Sequence, residues 1–428
     1  MVLRLALALA VSAAGAWAQE TPQAFTGARI LPISGPAIET GTLVVQGGKI
    51  VAVGADVAVP ADAERHDASG KIIMPGLVDT HSHVGGVEGG DRSAPIQPSV
   101  RSLDSINVRD ASFQKAQAGG ITTANIMPGS GHLLSGQTTY VKYRDGKTID
   151  DLLLYNDDGS PAGGIKMANG TNSRRDPPFP GTRAKSAALI REKFVQAQEY
   201  GDKIERAEGD PEKLPERNLE LEALAAALAG ERVVHFHTHR HDDIMTVLRL
   251  AEEFNFPVVL QHVSDARFVA EEIAAAEAPA SLILIDSPGG KIEAKDNTFE
   301  NGAALERAGA LVGFHTDDGV TDSRLFRRMA ALAVRAGMSR QAALEGLTLA
   351  GARMLRLEDR VGSLEVGKDA DFIVLDGDPL SVYSRILETW VDGEKVFDRS
   401  DPKDLLYAEG GYGASYDQSL HLHGFSEE

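Results

Sequence analysis

Six side chains able to bind a cation or carry a proton stand at the ends of five short apolar runs. His81 and His83 close the first, in Pro75-Gly-Leu-Val-Asp-Thr-His-Ser-His. On a β-strand a spacing of two turns both imidazoles to one face, within reach of a single ion. Lys166 lies in a later run, His237 and His262 end two more, and Asp317 ends the last. One histidine at a strand end is most often a hydrogen-bonded core or rim residue. Six candidates at the same relative place point instead to one centre holding a divalent metal. The chain has 12 histidines and no cysteine, so thiolate nucleophiles, cysteine zinc sites and iron–sulfur clusters are excluded and histidine must supply transition-metal chemistry.

Converging these groups requires strands that share one end. Eight apolar runs lie at 76–83, 121–127, 137–142, 164–168, 232–237, 257–262, 281–286 and 310–317, with amphipathic stretches at 242–254, 267–276, 299–307 and 322–336 between several of them. This alternation over 74–357 predicts an α/β fold, a (β/α)8 TIM barrel, whose catalytic groups sit at the carboxyl ends of the strands. Residues 185–230 read as a helical hairpin inserted between strands four and five. Short strands broken by Gly and Pro at 19–73 and again at 358–400 predict a small β-sandwich built from both chain ends.

Residues 1–18 have the features of a cleaved signal peptide. Arg4 precedes the apolar Leu5–Ala14, and Ala16-Trp17-Ala18 is a small-x-small cleavage site. The apolar run is too short to span a bilayer, so a periplasmic or secreted protein without a stable membrane anchor is expected. The Gly- and Tyr-rich 401–428 reads as a surface extension. With 43 basic and 62 acidic residues the net charge is −19, which repels phosphate backbones and argues against nucleic-acid binding.

The first motif, the strand-end His, His and Asp that follow, and Gly362-Ser-Leu-Glu-Val-Gly-Lys-Asp-Ala-Asp-Phe-Ile-Val-Leu together resemble the amidohydrolase superfamily over nearly all of the expected mature chain. The closest likeness within it is to the exported imidazolonepropionase-related, prolidase-like metal-dependent hydrolases. The resemblance implies His81, His83, Lys166, His237, His262 and Asp317 as metal ligands, with two Zn2+ ions bridged by a carboxylated Lys166. His81, His83, Asp317 and one further histidine would also suffice for a single ion, leaving Lys166 a rim charge. Manganese, cobalt or iron would fit the same donors. In strand five His235, His237, His239 and His241 alternate; the small residue after His237 matches the pattern of relatives there, and leaves His239 as a substrate contact. His315, two residues before Asp317, is a candidate for supporting the ligands from behind. His66, His132, His421 and His423 read as surface or loop residues.

The reaction so implied is cleavage of an amide or other C–N bond in an N-acyl amino acid, dipeptide or cyclic amide by a metal-activated hydroxide. Asp317 serves as general base and then acid, a role carried over from the resemblance. Arg174, Arg183 and Arg240, on loops facing the expected mouth, suit a small-molecule substrate bearing a carboxylate. Loop arginines paired with neighbouring acids are the plain alternative. A mononuclear imidazolonepropionase or deaminase is a second reading. Deaminase relatives carry a glutamate three residues after the strand-five histidine, where this chain has Arg240. Imidazolone chemistry belongs in the cytosol, against the expected export. A non-catalytic scaffold would have eroded ligands, and all six are present. Association into homo-oligomers is an analogy to similar barrels only.

Overall fold

The computed structural model describes residues 21–87, 91, 93–284 and 291–410. The expected signal peptide, the tail from 411 with His421 and His423, and the carboxyl end of the 281–286 run lie outside the described residues. Aliphatic and aromatic stretches between glycine and proline breaks form β1 (Gln23–Ile30), β2 (Ile38–Gln46), β3 (Lys49–Gly54), β4 (Glu64–Asp67) and β5 (Ile72–Pro75). The chain then enters an α/β unit with β6 (Leu77–Ser82), α1 (Ser112–Ala118), β7 (Ile121–Ile126), β8 (Leu134–Gln137), β9 (Thr139–Lys142) and β10 (Ile165–Ala168). A helical hairpin follows, α2 (Arg183–Arg206) and α3 (Leu219–Leu228), capped by the Thr182 and Asn218 side chains. Next come β11 (Val234–Thr238), α4 (His241–Phe254), β12 (Val258–His262), α5 (Ala270–Ala275), β13 (Ala280–Leu282), α6 (Asn301–Ala308), β14 (Val312–Phe314), α7 (Phe326–Arg335), α8 (Arg340–Gly346) and α9 (Leu349–Met354). The chain returns through β15 (Phe372–Leu375), β16 (Ile386–Val391), β17 (Glu394–Asp398) and α10 (Pro402–Glu409).

The two ends of the chain meet through β15, which runs antiparallel to β5 with Phe372 opposite Pro75 and Leu375 opposite Ile72. Where two layers are expected, the structure has one eight-stranded sheet, ordered β17-β16-β15-β5-β1-β2-β3 with β4 beside the first half of β1. The bend comes from β1. Its partner changes from β4 to β5 around Gly27, whose φ of +79° is the left-handed region, and a Cβ there would sit 2.6 Å from the Ser69 hydroxyl. Curling brings Phe25 of β1 onto Phe372 and Trp390, with ring centroids 4.9 and 5.1 Å away. One curled sheet thus encloses a core of its own.

The strands β6, β7, β10 and β11 of the α/β unit are buried along their whole length, as a wall covered by helices requires, although polar side chains alternate with apolar ones in them. They form a six-stranded sheet, β14-β13-β12-β11-β10-β8, and a three-stranded sheet, β6-β7-β9. Strands β10 to β14 are mutually parallel, as are β6 and β7. The third strand position departs from the expected all-parallel barrel. Its stretch, 134–142, pairs antiparallel with β10 through β8 and with β7 through β9, linking the two sheets at Thr138. A parallel return needs a crossover of a dozen or more residues, and the connection 127–133 is too short for one. Among the described residues no ladder joins β14 to β6. Strand β6 is instead bonded to the loop after β14, the amide of Asp317 donating to the carbonyl of His81, and to the end of α8, the amide of Val78 donating to Leu347, both at 2.9 Å. No helix of the described residues is long and apolar enough to cross a membrane.

Where the α/β unit meets the curled sheet, Lys142 of β9 is fully buried. Its ammonium lies 2.6 Å from Asp369 and 3.1 Å from Asp371, and also contacts Asp392. Burial opposes its charge, but the three carboxylates outweigh that and hold its pKa above the ordinary lysine value. Lys142→Met would leave the buried Asp371 without a cation partner among the described residues, while Asp369 keeps Lys49 and Arg360 and Asp392 keeps Arg144. We expect a loss of about 3–5 kcal/mol in stability by urea unfolding; a change inside the error of the midpoint would show that this junction contributes nothing.

Candidate metal centre

Alternation along β6 aims His81 and His83 at the loop after β14, where Asp317 adopts a φ of +50°. Asp317 Oδ1 lies 3.2 Å from His81 Nε2 and 2.9 Å from His83 Nε2, and the two imidazole nitrogens are 3.3 Å apart. Lys166 Nζ is 3.1 Å from His81 Nε2. His83 Nδ1 donates to the carbonyl of Met127 at 2.7 Å. A carbonyl only accepts, so Nδ1 carries a hydrogen and Nε2 is the ring atom left to face the Asp317 carboxylate. Electron-pair donors this close repel unless a positive charge lies between them. A tetrahedral ion bound at the usual zinc–nitrogen distance separates its donors by about 3.3 Å, close to the spacings found.

A second group adjoins the first. The His237 and His262 rings have centroids 4.4 Å apart, and His262 is 4.9 Å from His81. Both ring nitrogens of His237 and Nε2 of His262 are buried without a hydrogen-bond partner among the described residues. Such orphaned atoms are rare in native proteins and need an explanation, an ion site being one. The donor set of His81, His83 and Asp317 therefore fits a divalent metal, with His237 and His262 beside it.

The strand-five ambiguity resolves by partner. His235 is a satisfied core residue, its Nε2 2.8 Å from the Tyr140 hydroxyl and its Nδ1 3.3 Å from Gln261 Nε2. His237 is the unpartnered one. His239 is buried, with Nδ1 2.8 Å from the Ser264 hydroxyl, and it gathers with His237 and Glu293 at the mouth. His241 opens α4 and pairs with Asp265 at 3.1 Å. His132, expected in a loop, is buried against Phe179, and His66 stacks on Phe25.

Electrostatics suit cation binding. Burial pushes the imidazoles of His81, His237 and His262 well below the ordinary histidine pKa, so all three are neutral lone-pair donors. Burial works against the charge of Asp317, yet the His83 contact keeps its carboxyl well below the usual range. Burial lowers Lys166 to about 7.

The three arginines of the mouth differ. Nε of Arg183 sits 2.8 and 3.0 Å from the two oxygens of Asp243, and another nitrogen reaches Glu293 at 3.3 Å. Arg240 forks onto Asp242 at 2.8 and 3.0 Å. Arg174 alone of the three has a buried Nε without a partner among the described residues. It lines, with Arg183, Arg240 and Thr171, a cavity of ≈ 710 Å³ beside Glu293.

Two groups escaped the sequence reading. Asp79, fully buried, accepts from the amides of Thr316 and His81 at 3.0 and 3.2 Å and from the Thr316 hydroxyl at 2.5 Å, so it pins the Asp317 loop to β6. Its place in Val78-Asp-Thr-His was visible, but its partner 237 residues away was not. Glu293 shows no sequence signal.

Residues 185–398 match the model of the amidohydrolase family. The chain is 30% identical over 371 residues to amidohydrolase tasK of Hapsidospora irregularis, covering 79% of this chain and 38% of that relative, so it spans well under half of the relative's length. It is 24% identical to imidazolonepropionase of Brucella anthropi, over 83% of this chain and 93% of the relative. Among solved structures it resembles an amidohydrolase from Thermotoga maritima MSB8, at 33% identity and a TM-score of 0.82 over 88% of this chain and all of that one. A prolidase solved with N-methylphosphonate-L-proline, 18% identical with a TM-score of 0.55 over 88% of this chain and 99% of the other, shares the fold.

Proposed function

Since the chain belongs to the amidohydrolase family, hydrolases of carbon–nitrogen bonds, we propose that it is an exported two-metal hydrolase of small amides bearing a free carboxylate, such as N-acyl amino acids or dipeptides. The eight strand positions read as a barrel with its mouth at Asp317. His81, His83 and Asp317 would hold one ion and His237 and His262 a second, with a carboxylated Lys166 between the groups. The observation that carries this reading is the convergence of the two imidazole Nε2 atoms, Asp317 Oδ1 and Lys166 Nζ at about 3 Å from their neighbours. Divalent ions bound there acidify water and polarise an acyl oxygen, which a neutral pocket cannot do.

The chain's own residues supply the rest. Asp317 takes a proton from the attacking water and returns it to the departing nitrogen. Arg174, which has no acid partner among the described residues, receives the substrate carboxylate, while Arg183 and Arg240 stay paired with Asp243 and Asp242 of α4. Burial excludes bulk water from His81, His237 and His262.

A buried ammonium beside two cation sites is costly, whereas the neutral amine of Lys166 can attack carbon dioxide, forming an N–C bond and releasing one proton. The product is an anion where an anion is wanted. With a pKa lowered to about 7, the neutral fraction grows as pH rises through that value. Reactivation of chelator-stripped protein by metal should therefore depend on bicarbonate and quicken from pH 6 to pH 8. Bicarbonate independence, or faster recovery at the lower pH, would assign Lys166 another role. The substrate class is tested with a panel of N-acyl amino acids, dipeptides and aminated bases. Release of amine from the first two supports the proposal; ammonia from bases alone would replace it with deamination.

A further inference from the structure

His262 ends β12 with its ring nitrogens in different company. Nδ1 lies 3.0 Å from Nε2 of His315, and Nε2 is the orphan noted above. Beyond His315 the contacts continue: Nδ1 to the Ser281 hydroxyl at 2.8 Å, Ser281 to the Thr80 hydroxyl at 2.6 Å, and Thr80 to the carbonyl of Phe314 at 3.5 Å. Every member is buried.

Two proton arrangements are self-consistent. In the first, all hydrogens point away from the metal groups. His262 Nδ1 donates to His315 Nε2, His315 Nδ1 to Ser281, Ser281 to Thr80, and Thr80 to the carbonyl. Each donor finds an acceptor, and Nε2 of His262 keeps a bare lone pair. In the second the order reverses, and His262 carries its hydrogen on Nε2, where no acceptor lies among the described residues. That arrangement makes one hydrogen bond fewer and strands a buried N–H, which costs more than an idle lone pair. The carbonyl at the far end can only accept, which fixes the first direction.

We propose that His315, held by Ser281 and Thr80, is a positioning residue that locks His262 in its Nδ1–H tautomer and so presents Nε2 to a divalent cation. The proposal rests on His262 being a ligand, as read above. His315 itself lies near enough to His81 and His262 to be thought a third ligand, but both of its nitrogens are engaged, one by His262 and one by Ser281. It supports the donor from behind, the usual way a protein fixes the tautomer of a ligating imidazole.

The tautomer is read directly in metal-free protein labelled with 15N-histidine, by two-bond 1H–15N correlation, with His262 identified by the signals lost in His262→Gln. The expected pattern has the hydrogen on Nδ1; a hydrogen on Nε2 overturns the proposal. Cobalt affinity, measured by chelator competition, supplies the second readout. His315→Leu should bind its weaker equivalent about 10- to 100-fold less tightly. His315→Gln, whose amide can accept from His262 and donate to Ser281, should regain most of that loss, and a glutamine variant no better than leucine counts against the lock. Should the leucine protein not fold, Ser281→Ala keeps the ring and removes only its acceptor. Both tautomers of His262 should then appear, and an unchanged single tautomer contradicts the relay. Wild-type protein that shows the Nδ1–H tautomer yet binds no cobalt overturns the metal-centre reading beneath the proposal; binding with the other tautomer overturns the proposal alone.

Discussion

Protein carrying His81→Ala and His83→Ala together should lose about three orders of magnitude or more in kcat/KM, equivalent to roughly 4 kcal/mol of transition-state stabilisation, together with most of its bound metal. The pair supplies two of the three donors that meet at Asp317 Oδ1, and no other histidine of the described residues touches that carboxylate at such distances. The fold should survive. Among the described residues the side chains of His81 and His83 make one hydrogen bond to the backbone, that of His83 Nδ1 to Met127, so truncation leaves a polar cavity while β6 keeps its ladder to β7. Thermal unfolding of the variant separates lost chemistry from lost structure. Unchanged turnover in a folded double variant would refute the site.

Asp317→Asn should lower kcat by about 10²- to 10⁴-fold while leaving KM within a small factor, because the proton transfer belongs to the transition state and not to substrate binding. Asparagine is the right replacement for a structural reason. Position 317 has a φ of +50°, a conformation asparagine tolerates better than any residue but glycine. The backbone donation from residue 317 to the carbonyl of His81 at 2.9 Å also persists. A loss confined to KM would make Asp317 a binding residue and remove it from the proton path.

The contrast between what the sequence showed and what it hid follows the range of the interactions. His81 and His83 were legible because strand alternation is local, and the strand ends at His237, His262 and Asp317 because apolar runs report buried strands. Local periodicity does not reveal orientation, so the run at 137–142, part of the reversed stretch 134–142, read as one more parallel strand. Its short connection was the available clue. The expected sandwich became a single sheet because a switch of partners at Gly27 is a tertiary event. Choosing among four alternating histidines needed their partners: Tyr140 and Gln261 claim His235, Ser264 holds His239, and Asp265 takes His241. Arg183 and Arg240 read either as substrate contacts or as loop cations paired with neighbouring acids; the acids that pair with them stand at 243 and 242 in the first turn of α4. Asp79 and Glu293 act across more than a hundred residues of chain, beyond any local pattern.

The central claim is that this donor set holds cations and that hydrolysis needs them. Chelator-stripped protein titrated with zinc in the presence of bicarbonate, followed at once by metal analysis and by hydrolysis of an N-acyl amino acid or dipeptide shown to be a substrate, tests it most directly. The account predicts two equivalents bound, with activity absent at the start and restored as they fill. Full activity in protein from which all metal has been removed would contradict it.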